Sequence, residues 1–165
     1  MKKVYLLVFA VVILALGSAY GADGIKVDIP IVLSDLKEIK VVFNMDHLAF
    51  DGDKPVGMKY MILLKNRMKE AKAAGKIIAI FHGDAAYMTL TDEAYNKFRK
   101  VTTGNPYKKL IEEMTTSGIE VEECVVSMGA HSWVNADLLP GVKVNGGAVS
   151  RLIQLGQEGY VAIEP

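Results

Sequence analysis

Short apolar runs alternating with stretches of helical spacing constrain this chain more than any other feature. IKVVFN (residues 39–44), IIAIF (77–81) and IEVEECVV (119–126) are too brief for buried helices and are bounded by turn residues. Such runs read as strands, and a continuous apolar one reads as a strand covered on both faces. Between the first two, Met61, Leu64, Met68 and Ala71 recur at three- and four-residue spacing, which predicts a helix over 58–74 ended by Gly75. DHLAFDGDKPVG before it reads as a polar loop. Thr91 is the expected N-cap of a helix over 92–101. Asn105 and Pro106 are expected at the N-cap and first position of another, buried through Leu110, Ile111 and Met114 and stopped by Gly118. SMGAHSWVNADLLPG reads as a loop or short helix, and VKV as a short strand. NGGAVSRLIQLGQEG reads as a final helix with Val149, Leu152 and Ile153 toward the core, and YVAIEP as a terminal strand. This alternation predicts a three-layer α/β sandwich around a mostly parallel five-stranded sheet, of the flavodoxin or Rossmann kind.

The N-terminus carries a different signal. Lys2 and Lys3 precede thirteen apolar residues, Val4–Leu16, and then small residues through Ala22. That run falls short of the roughly 20 residues needed to span a bilayer. It fits a secretory signal peptide over residues 1–21. The expected mature chain is periplasmic or secreted and free of the membrane, with an N-terminal extension at 22–37 and one α/β domain at 38–165. Removing 21 of 165 residues leaves 144, enough for a core without disulfide staples. The 19 basic and 19 acidic residues balance, and loss of Lys2 and Lys3 shifts the net charge only to −2. Nothing in that charge favours a nucleic-acid partner.

Cys124 is the only cysteine. It cannot form an internal disulfide, so it is a packed structural thiol, a reactive thiol or half of an intermolecular bridge. In parallel sheets ligands gather beyond the carboxyl ends of the strands. Those ends deliver His82; Cys124 with Ser127, Met128 and His131; and Asn145 with Gly146. His82 and Cys124 share a crevice if their strands are neighbours. Glu122 and Glu123 oppose a negative charge on the neighbouring sulfur, so a reactive thiol needs help from His82, His131 or a helix start within 127–135. Cys124 with His82, His131 or Met128 would also suit Cu(I) or zinc, but neither CxxC nor a Met-rich repeat appears, and no cofactor is expected. NGGAVSR lacks the dinucleotide and Walker patterns and reads as a tight turn. Tyr87, Met88, Tyr95 and Phe98 read as core or subunit contacts.

FHGDA after the second strand, SGIEVEEC at the third, and the tail NADLLPGVKVNGGAVSRLIQLGQEGYVAIEP together resemble the DsrE/DsrF-like sulfur-relay family over roughly residues 38–165. The resemblance implies a compact α/β sandwich assembled as a trimer or hexamer. It also implies a cysteine at the end of the third strand that carries sulfur as a persulfide, and Cys124 falls at that position. His82 matches the HG step of the preceding strand. The expected activity is that of a sulfur carrier or sulfurtransferase, with a donor or acceptor protein or a small thiol as partner. The competing expectation is a non-enzymatic oligomer that binds a small ligand or metal, with Cys124 merely packed.

Overall fold

Five of the apolar runs pair as strands in the computed structural model, which describes residues 38–165. These are β1 (Ile39–Met45), β4 (Gly75–Phe81), β5 (Glu120–Cys124), β6 (Lys143–Asn145) and β7 (Val161–Ile163); β2 (Phe50–Asp51) and β3 (Lys54–Pro55) form a separate small hairpin. The five are all parallel and lie in the order β6–β5–β4–β1–β7. The expected signal peptide and extension, residues 1–21 and 22–37, lie outside the described residues. No helix among the described residues is long and apolar enough to cross a membrane.

The chain advances across the sheet from β1 through β4 and β5 to β6, then returns past β1 to add β7. Parallel crossovers are right-handed, so reversing the direction of travel also reverses the face on which the crossover lies. Helices α1 (Val56–Glu70), α2 (Asp92–Arg99), α3 (Lys108–Thr116) and α4 (Val125–His131) therefore share one face. Met58, Met61, Ile111, Met114 and Met128 bury there against Val41, Phe43, Ala79, Phe81 and Val121. Among the described residues, helix α5 (Ala148–Gln157) alone covers the other face, where Ala148 and Leu155 meet Val42, Ile78, Ile80 and Cys124. One face is thickly covered and the other thinly.

Several expected boundaries hold for the expected reasons. Thr91 caps α2 by accepting from the Ala94 N–H at 3.3 Å. Gly118, at φ +84°, follows the end of α3 in the left-handed conformation that favours glycine. Tyr87, Met88 and Tyr95 are buried in the larger core.

Four expectations are corrected. Helix α1 ends at Glu70, and Gly75 opens β4 instead of terminating a helix. Its φ is +147°, and an added Cβ would lie 2.0 Å from the Ile39 carbonyl oxygen, so glycine serves a close backbone approach. Asn105 is not the N-cap of α3, which begins at Lys108 after Tyr107. Its side-chain oxygen does accept from the Tyr107 N–H at 2.9 Å, but its amide donates to the carbonyls of Met88 and Leu90 and is consumed in tying loops. The polar loop before α1 contains the hairpin of β2 with β3. On α5 the buried stripe is Ala148, Leu152 and Leu155, while Val149 and Ile153 are 71% and 58% exposed. That sequence holds two apolar stripes, and the sheet takes the one containing Ala148.

Because the clash at Gly75 is with backbone and cannot be relieved by a rotamer change, Gly75→Ala should lower stability by about 2–4 kcal/mol. Urea denaturation measures this; an unchanged midpoint would contradict the close approach.

Candidate functional site

Cys124 is the last residue of β5 and the N-cap of α4, which begins directly at Val125. The turn from strand to helix thus comes two residues earlier than the apolar run suggests. β5 lies between β4 and β6, with Cys124 opposite Asn145 and Phe81 opposite Glu123. His82 and Cys124 therefore reach the same end of adjacent strands. They line one crevice of roughly 620 Å³ with Ser127, Gly146 and Gly147, rimmed by Val126, Val149 and Ile153. Cys124 forms its floor and is only 3% exposed. The Gly83 N–H donates to Ser127 Oγ at 3.2 Å, joining the segment after β4 to α4 at the crevice wall.

The sulfur has a defined donor. The Ala148 N–H, at the first turn of α5, donates to Cys124 Sγ at 3.3 Å. The first amides of a helix lack intrahelical acceptors and lie at its positive end, so this donor suits negative charge on sulfur. The helix start that meets the sulfur is that of α5 and does not lie in the 127–135 segment.

The two glutamates meet opposite fates because successive strand residues point to opposite faces. Glu122 lies on the α5 face, buried, and accepts from Arg151 Nε at 3.0 and 3.1 Å and from Arg151 Nη2 at 2.8 Å. It also accepts from Asn145 Nδ2 at 3.1 Å. Its charge is thus met by a guanidinium. Glu123 lies on the other face and is fully buried. Its Oε1 accepts from the Cys124 N–H at 3.1 Å, and its Oε2 is 2.7 Å from Thr89 Oγ1, itself 3.0 Å from the Ala86 carbonyl oxygen. Thr89 has one hydroxyl proton for two acceptors. A protonated Glu123 satisfies every group, donating to Thr89, which donates to Ala86. Burial pushes the Glu123 carboxyl up to about 9, in agreement with that arrangement. The expected electrostatic opposition to Cys124 is therefore absent on one side and compensated on the other.

His82 Nε2 lies 2.7 Å from Asn44 Oδ1, and Asn44 Nδ2 donates to Glu164 at 3.3 Å. The Asn44 amide is thereby oriented with its oxygen toward the ring, which puts the imidazole proton on Nε2 and leaves Nδ1 as the basic nitrogen. Desolvation holds His82 below its ordinary value, partly offset by Asp46, so the ring is neutral at neutral pH.

The remaining candidates separate. Ser127 and Gly146 line the crevice, and Asn145 is buried behind it. Met128 is buried in the core on the opposite face, and His131 packs against Phe98 and Trp133 with ring centroids 4.9 and 4.6 Å away. Neither joins Cys124, so the Cu(I) combination through Met128 or His131 is not assembled. Among the described residues no group of three or more His, Cys, Asp or Glu side chains could hold a metal ion. Arg151, Thr89 and Ala148 were not among the sequence candidates. An acid on the same strand face as Cys124 required a cation, and Arg151 is the cation within an otherwise apolar or uncharged α5.

The chain and its fold belong to a known class. The DsrE/DsrF-like family matches residues 40–165, so the chain belongs to that family. Among solved structures, it is similar to a protein of unknown function, MTH1491, from Methanobacterium thermoautotrophicum. That likeness has 20% identity and a TM-score of 0.59, covering 77% of this chain and 99% of the other. It is likewise similar to the YchN protein of E. coli, at 16% identity and a TM-score of 0.54 over the same shares. At these identities the likeness is one of fold. No curated protein matches the chain at a significant level.

Glu123 yields a pH test. Unfolded, it ionises near its ordinary 4.5; folded, it keeps its proton to about 9. The folded state binds more protons across that window. Its contribution to stability is full below about pH 4.5 and falls as pH rises toward 9, by up to about 1.4 kcal/mol per pH unit. Glu123→Gln cannot ionise, so urea melts from pH 5 to 8 should show the variant gaining steadily on the wild type. A constant difference would mean that Glu123 is ionised in the fold.

Proposed function

We propose that the protein is an extracytoplasmic sulfur carrier that holds a sulfane sulfur as a persulfide on Cys124. The observation that carries this reading is the position of Cys124 at the floor of the crevice, with the Ala148 N–H directed at its sulfur. Membership of the DsrE/DsrF-like family supports it, and the signal-peptide pattern at residues 1–21 supports export.

The chemistry needs no outside oxidant. The Cys124 thiolate attacks the outer sulfur of a donor persulfide, R–S–SH. A bond forms between Sγ and that sulfur, the donor S–S bond breaks, and the electron pair leaves on RS⁻. The thiol proton of Cys124 passes to RS⁻, with neutral His82 as the candidate relay. An acceptor thiolate then attacks the outer sulfur of Cys124–S–SH and releases the Cys124 thiolate, which regains the Ala148 donor. One protein sulfur suffices for this cycle, whereas a disulfide oxidoreductase normally uses two. The partners are a donor or acceptor protein or a small thiol.

We also propose a homo-oligomer, a trimer or hexamer. Val126, Val149 and Ile153 are 67%, 71% and 58% exposed around the crevice. A contiguous apolar rim of this kind favours association.

Incubation with a persulfide donor followed by intact-mass analysis tests the carrier. Wild type should gain one sulfur, and Cys124→Ser none. A gain independent of Cys124, or no gain at all, favours the reading in which Cys124 is merely packed. Sedimentation velocity tests the assembly. The wild type should exceed the monomer, and Val149→Glu with Ile153→Glu should shift it toward monomer; a monomeric wild type overturns the oligomer.

A further inference from the structure

We propose that Glu122 and Asn145 are positioning residues for Cys124, fixing the corner between β6 and α5 so that the Ala148 N–H meets the sulfur. This rests on Cys124 being the reactive group.

The inference rests on a continuous path of contacts. Glu122 accepts from Asn145 Nδ2 at 3.1 Å, which orients the Asn145 amide. Asn145 Oδ1 then accepts from the Gly147 N–H at 3.0 Å. The Gly147 carbonyl accepts from the Arg151 N–H at 3.0 Å and from Ser150 Oγ at 2.9 Å. The Arg151 side chain closes the loop by returning to Glu122 with three hydrogen bonds. Gly147 sits at φ +131°, a conformation L side chains rarely adopt, so the corner needs both glycine and fixed ends. The very next amide is the one donated to Sγ.

A buried carboxylate is a costly way to fill this position. Replacing a buried ion pair with apolar side chains is often neutral or stabilising. An apolar residue could not hold the Asn145 amide and the Arg151 guanidinium in one fixed relation. The ionisable neighbours leave that task to Glu122. Glu123 faces the opposite side of β5, Lys143 lies opposite Glu122 in register but turns outward to pair with Glu120, and His82 belongs to the opposite wall. Arg151 Nη2 does approach Glu120 Oε1, but at 3.8 Å, against 2.8 Å to Glu122.

Alkylation of Cys124 by iodoacetamide as a function of pH, on the protein as produced, tests this role. The limiting rate at high pH reports access to the sulfur. The rate at pH 7, divided by that limit, reports how well the thiolate is held. Asn145→Ala and Glu122→Gln should each lower this ratio at least threefold, whatever happens to the limiting rate. A merely structural role would move the limiting rate and leave the ratio alone. Lys143→Ala, on the same strand as Asn145 but paired with Glu120 at the surface, should keep the wild-type ratio. Should one variant fail to fold, the other and Arg151→Lys give the same reading. Folded variants with an unchanged ratio overturn the proposal. Sulfur loading of the wild type is a separate measurement. No sulfur uptake together with a threefold fall in the variants refutes the carrier and keeps the positioning role. Sulfur uptake with unshifted variants does the reverse.

Discussion

The ion pair between Glu122 and Arg151 ties the final helix to β5, one strand in from the edge of the sheet. Without it, α5 would rest on a thin apolar contact, chiefly Ala148, Leu152 and Leu155. The pair adds direction to that contact. It sets how α5 enters the face, and hence where the first amides of the helix fall relative to the end of β5. Removing one partner of such a pair leaves a charge stranded, so the arrangement enforces itself: each group requires the other once the helix has docked.

The asymmetry of the two faces is a product of strand order. Four strands laid down in one direction place their crossovers on one side, and the single return places α5 on the other. The side with four helices buries a continuous core. Among the described residues, the side with one helix leaves the carboxyl ends of β4, β5 and β6 incompletely covered, and the uncovered part is the crevice above Cys124. The opening is therefore a consequence of topology, and its apolar rim is the portion of α4 and α5 that finds no partner within the described residues.

Much of this was legible in the residues. Apolar runs at 39–44 and 77–81 read as strands, and Thr91 stood where a helix over the next residues needs its cap. The strand-end rule put His82 and Cys124 in one crevice on the condition, met by β4 and β5, that their strands were neighbours. The parts that were not legible depend on tertiary choices. Gly75 looks like a helix stop because the carbonyl of Ile39, 36 residues earlier, is invisible locally. Val149 and Ile153 look as suited to the core as Ala148 and Leu155, and only docking selects between the stripes. Glu122 and Glu123 look alike as neighbours, yet the two-residue period of a strand sends one to a guanidinium and the other into an apolar layer where it keeps its proton. That separation was available from periodicity, but the fate of each carboxyl was not.

The burial of Cys124 and its proposed chemistry are compatible through bond lengths. A thiol on the floor of a crevice is shielded from chance oxidation, which depends on exposure. Adding one sulfur moves the reactive atom outward by about 2 Å, the length of an S–S bond. The outer sulfur of a persulfide on Cys124 would therefore project from the protected floor into the open crevice, where a partner thiolate can attack in line. The inner sulfur would remain beside the Ala148 N–H, positioned to leave. On the proposed chemistry, the buried thiol would be the form that waits, and the sulfur it acquires the form that can be reached.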